Sequence, residues 1–541
     1  FFTSEARRYF FTLEENSQMN IGREAICIVF FLIASFSLWG QKNIELVGRL
    51  EYPFTSRLSS DEILNDIWGY VSPDGREYAL VGTFNGLSIV DLEDPSNPRE
   101  IHFVSGPESF WRDVKTYESY AYVCNETADG LTIVDLSGLP GRIESKEFLP
   151  AGRSTAHNLY QTDGRLYVVG FNQVRGGIII LDLESDPWNP TEIGLYDDAY
   201  VHDVYVRDNI AYAAEINDAR LRILDLSDLT DIQVLGERTY AGAFTHNTWL
   251  NDAGDVCFTT DELGRAFIRS WDVSDPGNIE ELDKIRASRS GGTAIPHNVH
   301  VLNDFLVSSY YGDGIQIVDA SRPESLVEIG YFDTAPNKET GFVGCWGAYP
   351  FLPSGLVLAT DLSNGLFVLR PTYKRASFLE GNVLDSETGR ILTNATISII
   401  GEPNSNTNSD DEGTFQTGFA DEGTKTVILS HPGYLSEAFE VSVSSGAVTT
   451  QDFTLSLIPS VSEITPITNP VENVLTITAP EGNVVEWELL DTSGRRIKEG
   501  INSQNQTHIT ILFFYPAGTY LFHYQTTEGE SGVIKLLKRT S

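Results

Sequence analysis

The sequence predicts an all-β chain: a seven-bladed β-propeller closed by its own N-terminal strand, followed by two small β-sandwich domains. One phrase recurs, from Gly86-Leu87-Ser88-Ile89-Val90-Asp91 and Gly130-Leu131-Thr132-Ile133-Val134-Asp135 to Gly365-Leu366-Phe367-Val368-Leu369. Its closing aspartates, Asp91, Asp135, Asp182, Asp225, Asp272 and Asp319, stand 44, 47, 43, 47 and 47 residues apart, and Arg370 takes the seventh place 51 further on. A period in the forties made of short strands is that of a propeller blade. Beyond Pro371 the phrase stops and a different strand-and-turn pattern begins at Phe378.

Each unit reads as four strands. In the third these are Ala156–Gln161, Arg165–Gly170, Gly177–Leu183 and Thr191–Tyr196. Asp163-Gly164 is a tight-hairpin signal, and the Asp186-Pro187 and Asn189-Pro190 pairs restrict the backbone before the fourth strand. The aspartate that ends each third strand is expected to open that turn, a structural duty. The last unit lacks a fourth strand, and Ile44-Glu45-Leu46-Val47-Gly48-Arg49-Leu50 has the same phrasing as the fourth strand Leu326-Val327-Glu328-Ile329-Gly330-Tyr331. The first strand of the mature chain is therefore expected to complete the last blade, which leaves no open sheet edge.

Composition bounds the function. With 37 basic and 76 acidic residues the net charge is −39, which repels nucleic-acid phosphate and anionic lipid and suits a soluble extracellular protein. The single methionine, Met19, precedes Arg23 and the apolar run Ala25–Trp39. This is the pattern of a secretory signal peptide over residues 19–40, with residues 1–18 an upstream extension and no transmembrane anchor in the mature chain. Cys27 belongs to that run. Export leaves Cys124, Cys257 and Cys345, an odd number that implies no disulfide framework and suits burial.

The first strands of successive units begin with a polar pair: Arg112-Asp113, His157-Asn158, His202-Asp203, His246-Asn247 and His297-Asn298, with Trp68-Gly69 and Trp346-Gly347 near the same place in the first and last units. Four of the nine histidines thus share one repeat position. First strands line a propeller axis, so the pairs are expected to ring one mouth of the channel. Second strands return to the same face carrying Glu126, Glu215, Asp261-Glu262 and Asp361. This mixture suits three roles: a ladder of hydrogen bonds between blades, a site for a polar ligand, or a divalent metal or acid-base centre using His157, His202, His246, His297, Glu215 and Glu262. Arg112 and Asp113 are also candidates for an internal ion pair, and Trp68, Trp111 and Trp346 for core or stacking roles. No nucleophile elbow, phosphate loop, zinc-protease helix or Cys pair with metal spacing is present.

Residues 44–370 resemble the LVIVD-repeat, choice-of-anchor B family, on Trp111-Arg112-Asp113-Val114, Ala156-His157-Asn158, Val201-His202-Asp203-Val204, Thr245-His246-Asn247, His297-Asn298 and the Gly365–Leu369 phrase. The resemblance implies a secreted or surface propeller with a variable C-terminal anchor and supplies no catalytic residue. Residues 376–458, with Glu380-Gly381-Asn382-Val383, Ser409-Asp410-Asp411-Glu412-Gly413-Thr414-Phe415 and Ser430-His431-Pro432-Gly433-Tyr434, resemble a carboxypeptidase regulatory-like domain. In it His431 reads as a turn residue and the acidic cluster as a hairpin rather than a calcium loop. Residues 459–541, through Asn469-Pro470, Leu490-Asp491-Thr492-Ser493-Gly494-Arg495 and Ala517-Gly518-Thr519-Tyr520-Leu521, resemble the type A sorting domain of the type IX secretion system. That resemblance implies export from a Bacteroidetes-type bacterium. The propeller (residues 41–375) is then expected to bind an extracellular glycan, other polymer, peptide or protein. The alternatives are a secreted metal-dependent hydrolase or lyase and a structural scaffold of a surface complex.

Overall fold

Between residues 41 and 371 short strands alternate with tight turns, and successive runs of four pair antiparallel into one sheet. The computed structural model describes residues 40–52, 64–172, 175–287, 289, 293–336, 341–457, 465–478, 485–502, 508–526 and 531–539. Residues 1–39, with Met19, Cys27 and nearly all of the expected signal peptide, lie outside the described residues.

Among the described residues this region forms seven sheets, numbered here as blades in chain order. Blade one runs Leu64–Val71, Glu77–Thr83, Gly86–Asp91, Arg99–Ser105, and blade three Asn158–Thr162, Arg165–Val169, Ile178–Asp182, Thr191–Tyr196. The third strands are buried along their length because neighbouring blades cover both faces, whereas an outer strand such as Thr191–Tyr196 is mostly exposed. The core therefore lies between blades. Tyr78, Leu80 and Ile89 of blade one pack with Val114, Ala121 and Val134 of blade two, and Leu358 and Val368 of blade seven pack with Ala79 and Val81 of blade one.

The ring closes as the repeat phrasing requires. Ile44–Leu50 pairs antiparallel with Gly365–Pro371 and is the outer strand of blade seven. Gln41–Lys42 adds a short fifth strand to blade six against Val327–Phe332, which the sequence did not announce. The terminal aspartates of the third strands open turns. Asp91, Asp135, Asp182, Asp225, Asp272 and Asp319 each accept a hydrogen bond from the amide two residues on, at 2.8–3.0 Å. These turns also bear on the preceding blade. Gly48 and Gly236, at bulges of fourth strands, sit where a Cβ would lie 2.1 Å from the Pro95 carbonyl oxygen and 1.7 Å from that of Pro276, so only glycine admits the approach.

Behind the propeller, Ser377–Asp385 pairs with Thr414–Phe419, Val448–Thr450 and Phe453–Leu455. A second sheet of Thr396–Ile399, Thr407–Asn408, Gly423–Ser430 and Glu437–Val443 packs across a shared apolar core. This sandwich docks on blade six through Arg322–Glu380 at 3.0 Å, with Arg375 just before it held by Asp319 at 2.8 Å, and its Phe378 enters the propeller core. Asp410 Oδ1 accepts the Glu412 and Thr414 amides, the hairpin role read for it, and His431 is a half-buried residue that leads into the Pro432-Gly433 turn and lies over Tyr434. The last region forms two further sheets around Leu475, Ile477, Leu489, Phe513 and Phe522. Among the described residues no helix is long and apolar enough to cross a membrane, which says nothing of a β-barrel.

Candidate functional site

The polar pairs sit where first strands break their regular pairing. Register shifts fall at Leu64/Ile67, Thr245/Asn247, Pro296/Val299 and Cys345/Gly347, and a bulge of this kind frees side chains from the ladder and re-aims them. The result is a well at one mouth of the axis. Its cavity of about 40 Å³ is lined by Asp66, Trp111, Arg112, Asp113, His157, Asn158, His202, His246, Glu262, His297, Asn298 and Trp346. Asp203 and Asn247 lie one level lower, around a smaller cavity of about 10 Å³.

The upper layer is a curved stack of rings. Centroids are 4.0 Å apart for His157 and His202, 4.3 Å for His202 and His246, 4.3 Å for His246 and His297, and 4.9 Å for His297 and Trp346. Two of the inner histidines are anchored to the next blade. His202 Nδ1 donates to the His246 carbonyl at 3.0 Å and His297 Nδ1 to the Trp346 carbonyl at 2.6 Å. His246 Nδ1 is buried with no hydrogen-bond partner among the described residues. A carbonyl only accepts, so Nδ1 carries the proton in His202 and His297 and Nε2 keeps its lone pair. Burial, with the neighbouring imidazoles, holds His202 and His246 well below the usual histidine range, and burial takes His297 down to about 3. His202, His246 and His297 are therefore neutral at pH 7.

Two carboxylates join this layer. Glu126 meets His157 Nδ1 at 2.5 Å. Glu262 faces His297 Nε2 at 3.7 Å through one oxygen and His246 Nε2 at 3.9 Å through the other, with the Tyr311 hydroxyl as a further partner. Burial pushes its carboxyl up to about 7. His202, His246 and Glu262 each bring one ligand atom within 4.8 Å of the other two.

Below lies a layer of Asp66, Asp113, Asn158, Asp203, Asn247 and Asn298. Asp203 accepts the amides of Asn158 and Asn247 at 3.0 and 2.7 Å, and Asp113 accepts the Leu159 amide at 2.8 Å. These bonds tie blade to blade, and burial raises Asp203 to about 7. Lys115 caps the layer, 2.5 Å from Asp113 and 3.7 Å from Asp66. Lower still, Trp68, Tyr160, Tyr205, Trp249, His300 and Tyr349 fill the channel, with Tyr160–Tyr205 at 5.1 Å, Tyr205–Trp249 at 4.8 Å, Trp249–His300 at 4.7 Å and Trp68–Tyr349 at 4.8 Å.

Several sequence expectations need correction. The first unit contributes Asn65-Asp66 to the ring rather than Trp68-Gly69, because the bulge in its first strand shifts the register; Trp68 belongs to the lower aromatic layer. Glu215 does not reach the well: it is fully buried on the flank of blade four, held by Arg220, Arg222 and Tyr196. Asp261 and Asp361 are likewise turned away, bonded to Tyr240 and Arg269 and to Thr334. Arg112 forms no bond to Asp113. Its guanidinium donates to the Thr83 and Pro107 carbonyls, and burial lowers it to about 10. The three cysteines, by contrast, are buried and free as their number suggested, Cys345 inside the blade-seven core.

At the rim, Phe110, Trp111 and Phe342 are 45, 44 and 56% exposed. Phe110 rests on Phe84, and Phe342 on Tyr311.

Comparison with known proteins bears on the fold and domains. Residues 76–105, 111–141 and 199–237 match the LVIVD repeat, and residues 379–456 match the carboxypeptidase regulatory-like domain. No curated protein matches the chain. Among solved structures the chain is similar to the β-propeller domain of Cps50 (Swd1) from Myceliophteria thermophila, at 13% identity and a TM-score of 0.41 over 56% of this chain and 96% of that one.

Proposed function

We propose that this chain is an exported propeller protein of the choice-of-anchor B type, carried out through its C-terminal sorting domain by a type IX route, and that the axial mouth binds an extracellular glycan or peptide. One observation carries the binding reading: a recessed polar well of about 40 Å³ opens beside large aromatic side chains left in water. Exposed Trp and Phe around a polar hollow give a ligand faces to stack on and polar groups to orient it. The well itself is too small for a whole residue of a polymer, so it takes a single protruding group while the chain lies across the rim. Glycan and peptide arrays probed with the purified protein and with Trp111→Ala test this. Binding that weakens about tenfold or more in the variant supports the mouth, and binding equal in both places the ligand elsewhere.

A second reading, a metal-dependent hydrolase or lyase, is favoured by the Glu126–His157 pair, in which a half-exposed carboxylate orients an imidazole at the edge of the well. Such a pair is the arrangement a general base needs. Turnover of the array ligand, abolished in His157→Gln, distinguishes this reading from simple binding.

A further inference from the structure

We propose that His202, His246 and Glu262 bind one divalent transition-metal ion of the zinc class at the floor of the axial well. This deepens the reading of the mouth as a ligand site, since the ion supplies the group the ligand meets. The three ligand atoms already lie within 4.8 Å of one another, with Glu262 Oε2 and His246 Nε2 at 3.9 Å. A tetrahedral ion with bonds of about 2.0–2.1 Å sets its ligand atoms roughly 3.4 Å apart, so small side-chain rotations close the site.

The surroundings favour a cation over a water-filled hollow. His202 spends its Nδ1 proton on a carbonyl of the adjacent blade, which fixes the tautomer and turns the Nε2 lone pair toward the well. A ligating histidine normally has this outer hydrogen bond. His297 is tied back in the same way; its Nε2 lies 3.7 Å from the other oxygen of Glu262 and stands outside the set. Arg112 lines the well, but its guanidinium is bonded to backbone carbonyls. The hollow is thus rich in acceptors, and the Tyr311 hydroxyl is a partner of Glu262.

Chemistry sets the class of ion. Two imidazoles and one carboxylate form a borderline-soft set that suits Zn²⁺, Co²⁺, Ni²⁺ or Cu²⁺, whereas Ca²⁺ and Mg²⁺ take oxygen ligands. Three protein ligands leave a fourth position open toward the mouth. A hydroxyl, carboxylate or imidazole of the bound glycan or peptide occupies it in place of water.

The test uses the full chain, purified without added metal and titrated with Zn²⁺, Co²⁺ and Ca²⁺ in turn. Elemental mass spectrometry follows each dialysis, and visible absorption follows Co²⁺. The expected result is one Zn²⁺ or Co²⁺ per chain, an intense tetrahedral Co²⁺ band and no retained Ca²⁺. Glu262→Gln preserves the shape of the side chain and is expected to weaken Co²⁺ binding by more than about 100-fold, beyond the 10–100-fold that loss of an outer partner brings. His102→Gln, far from the well, leaves it unchanged. Folded wild-type protein that takes up neither Zn²⁺ nor Co²⁺ overturns the proposal. So does a folded Glu262→Gln variant that binds as the wild type does. Should that variant fail to fold, the Co²⁺ band of the wild type still decides, since an octahedral weak band overturns the assignment. Because no glycan or peptide is present in these titrations, the outcome stands apart from the Trp111→Ala comparison, and either reading can fail alone.

Discussion

Replacing His300 by phenylalanine gives a direct measure of how dry the lower half of the channel is. His300 lies among Trp249 at 4.7 Å, Phe351 at 5.7 Å and Trp68 at 6.3 Å, and its Nδ1 has no hydrogen-bond partner. Lys115 and Asp113 are the charged groups that act on it, and burial takes its pKa down to about 3. In the unfolded chain the ring titrates near 6.5. The folded value is the depressed one, so the unfolded state binds the proton first. His300 therefore leaves stability untouched above pH 6.5 and removes it progressively as pH falls from 6.5 toward 3. At pH 5 the loss is about 1.5 units at 1.36 kcal/mol each, or about 2 kcal/mol. His300→Phe cannot take up this proton. Urea unfolding of the propeller, followed by tryptophan fluorescence at pH 7.5 and 5.0, is expected to show the variant losing about 2 kcal/mol less than the wild type between the two conditions. At pH 7.5 alone the variant should match or slightly exceed the wild type, because a buried unpaired nitrogen is gone. Packing effects cancel in the double difference, so parallel pH profiles for the two proteins would refute the burial argument.

Two other substitutions probe the frame. Asp319→Ala removes a turn bond together with the Arg375 ion pair and the Ala376 amide bond; by the cost of stranded buried partners it should destabilise by about 3 kcal/mol and speed proteolysis between residues 371 and 377, while Asp272→Ala, which loses only exposed Ser274 bonds, costs about 1 kcal/mol. Gly347→Ala places a Cβ 2.5 Å from Asp66 Oδ1 and 2.9 Å from Ile67 Cγ2; the crowding should lower stability by about 2 kcal/mol in thermal unfolding, and an unchanged melting temperature would contradict the described seam between blades seven and one.

The repeat made most of the propeller legible, because a blade is a local unit whose turns announce themselves: Asp163-Gly164 links two strands with both residues at positive φ, as its composition required. The four ring histidines were legible for the same reason, since one repeat position maps to one height on the axis. What the sequence hid were the side chains whose role depends on register or on another blade. Asn65-Asp66 was missed because the bulge moves the polar pair away from the conspicuous Trp68. Glu215 looked equivalent to Glu126, yet Arg220 and Arg222, facing it from the neighbouring strand, draw it to the flank. Tyr311 carries no motif. A usable signal did exist for the lower layer: three residues after the first member of each pair come Trp68, Lys115, Tyr160, Tyr205, Trp249, His300 and Tyr349, six rings and one lysine that aligning the units brings out.

The clasp between Ile44–Leu50 and Gly365–Pro371 also fixes an order of events. Ile44–Leu50 is made before any blade and placed only after the last, because its partner emerges after every intervening blade. Local hairpins can form as the chain lengthens, but the pairing of Ile44 with Pro371 must span the whole ring, the kind of distant contact that slows folding. Until it forms, Gly365–Pro371 presents bare amides and carbonyls on an unguarded edge. The interval between completion of the last blade and capture of the N-terminal strand is thus when this chain is most exposed to pairing with a neighbour, and a factor that shields that one edge would suffice to protect it.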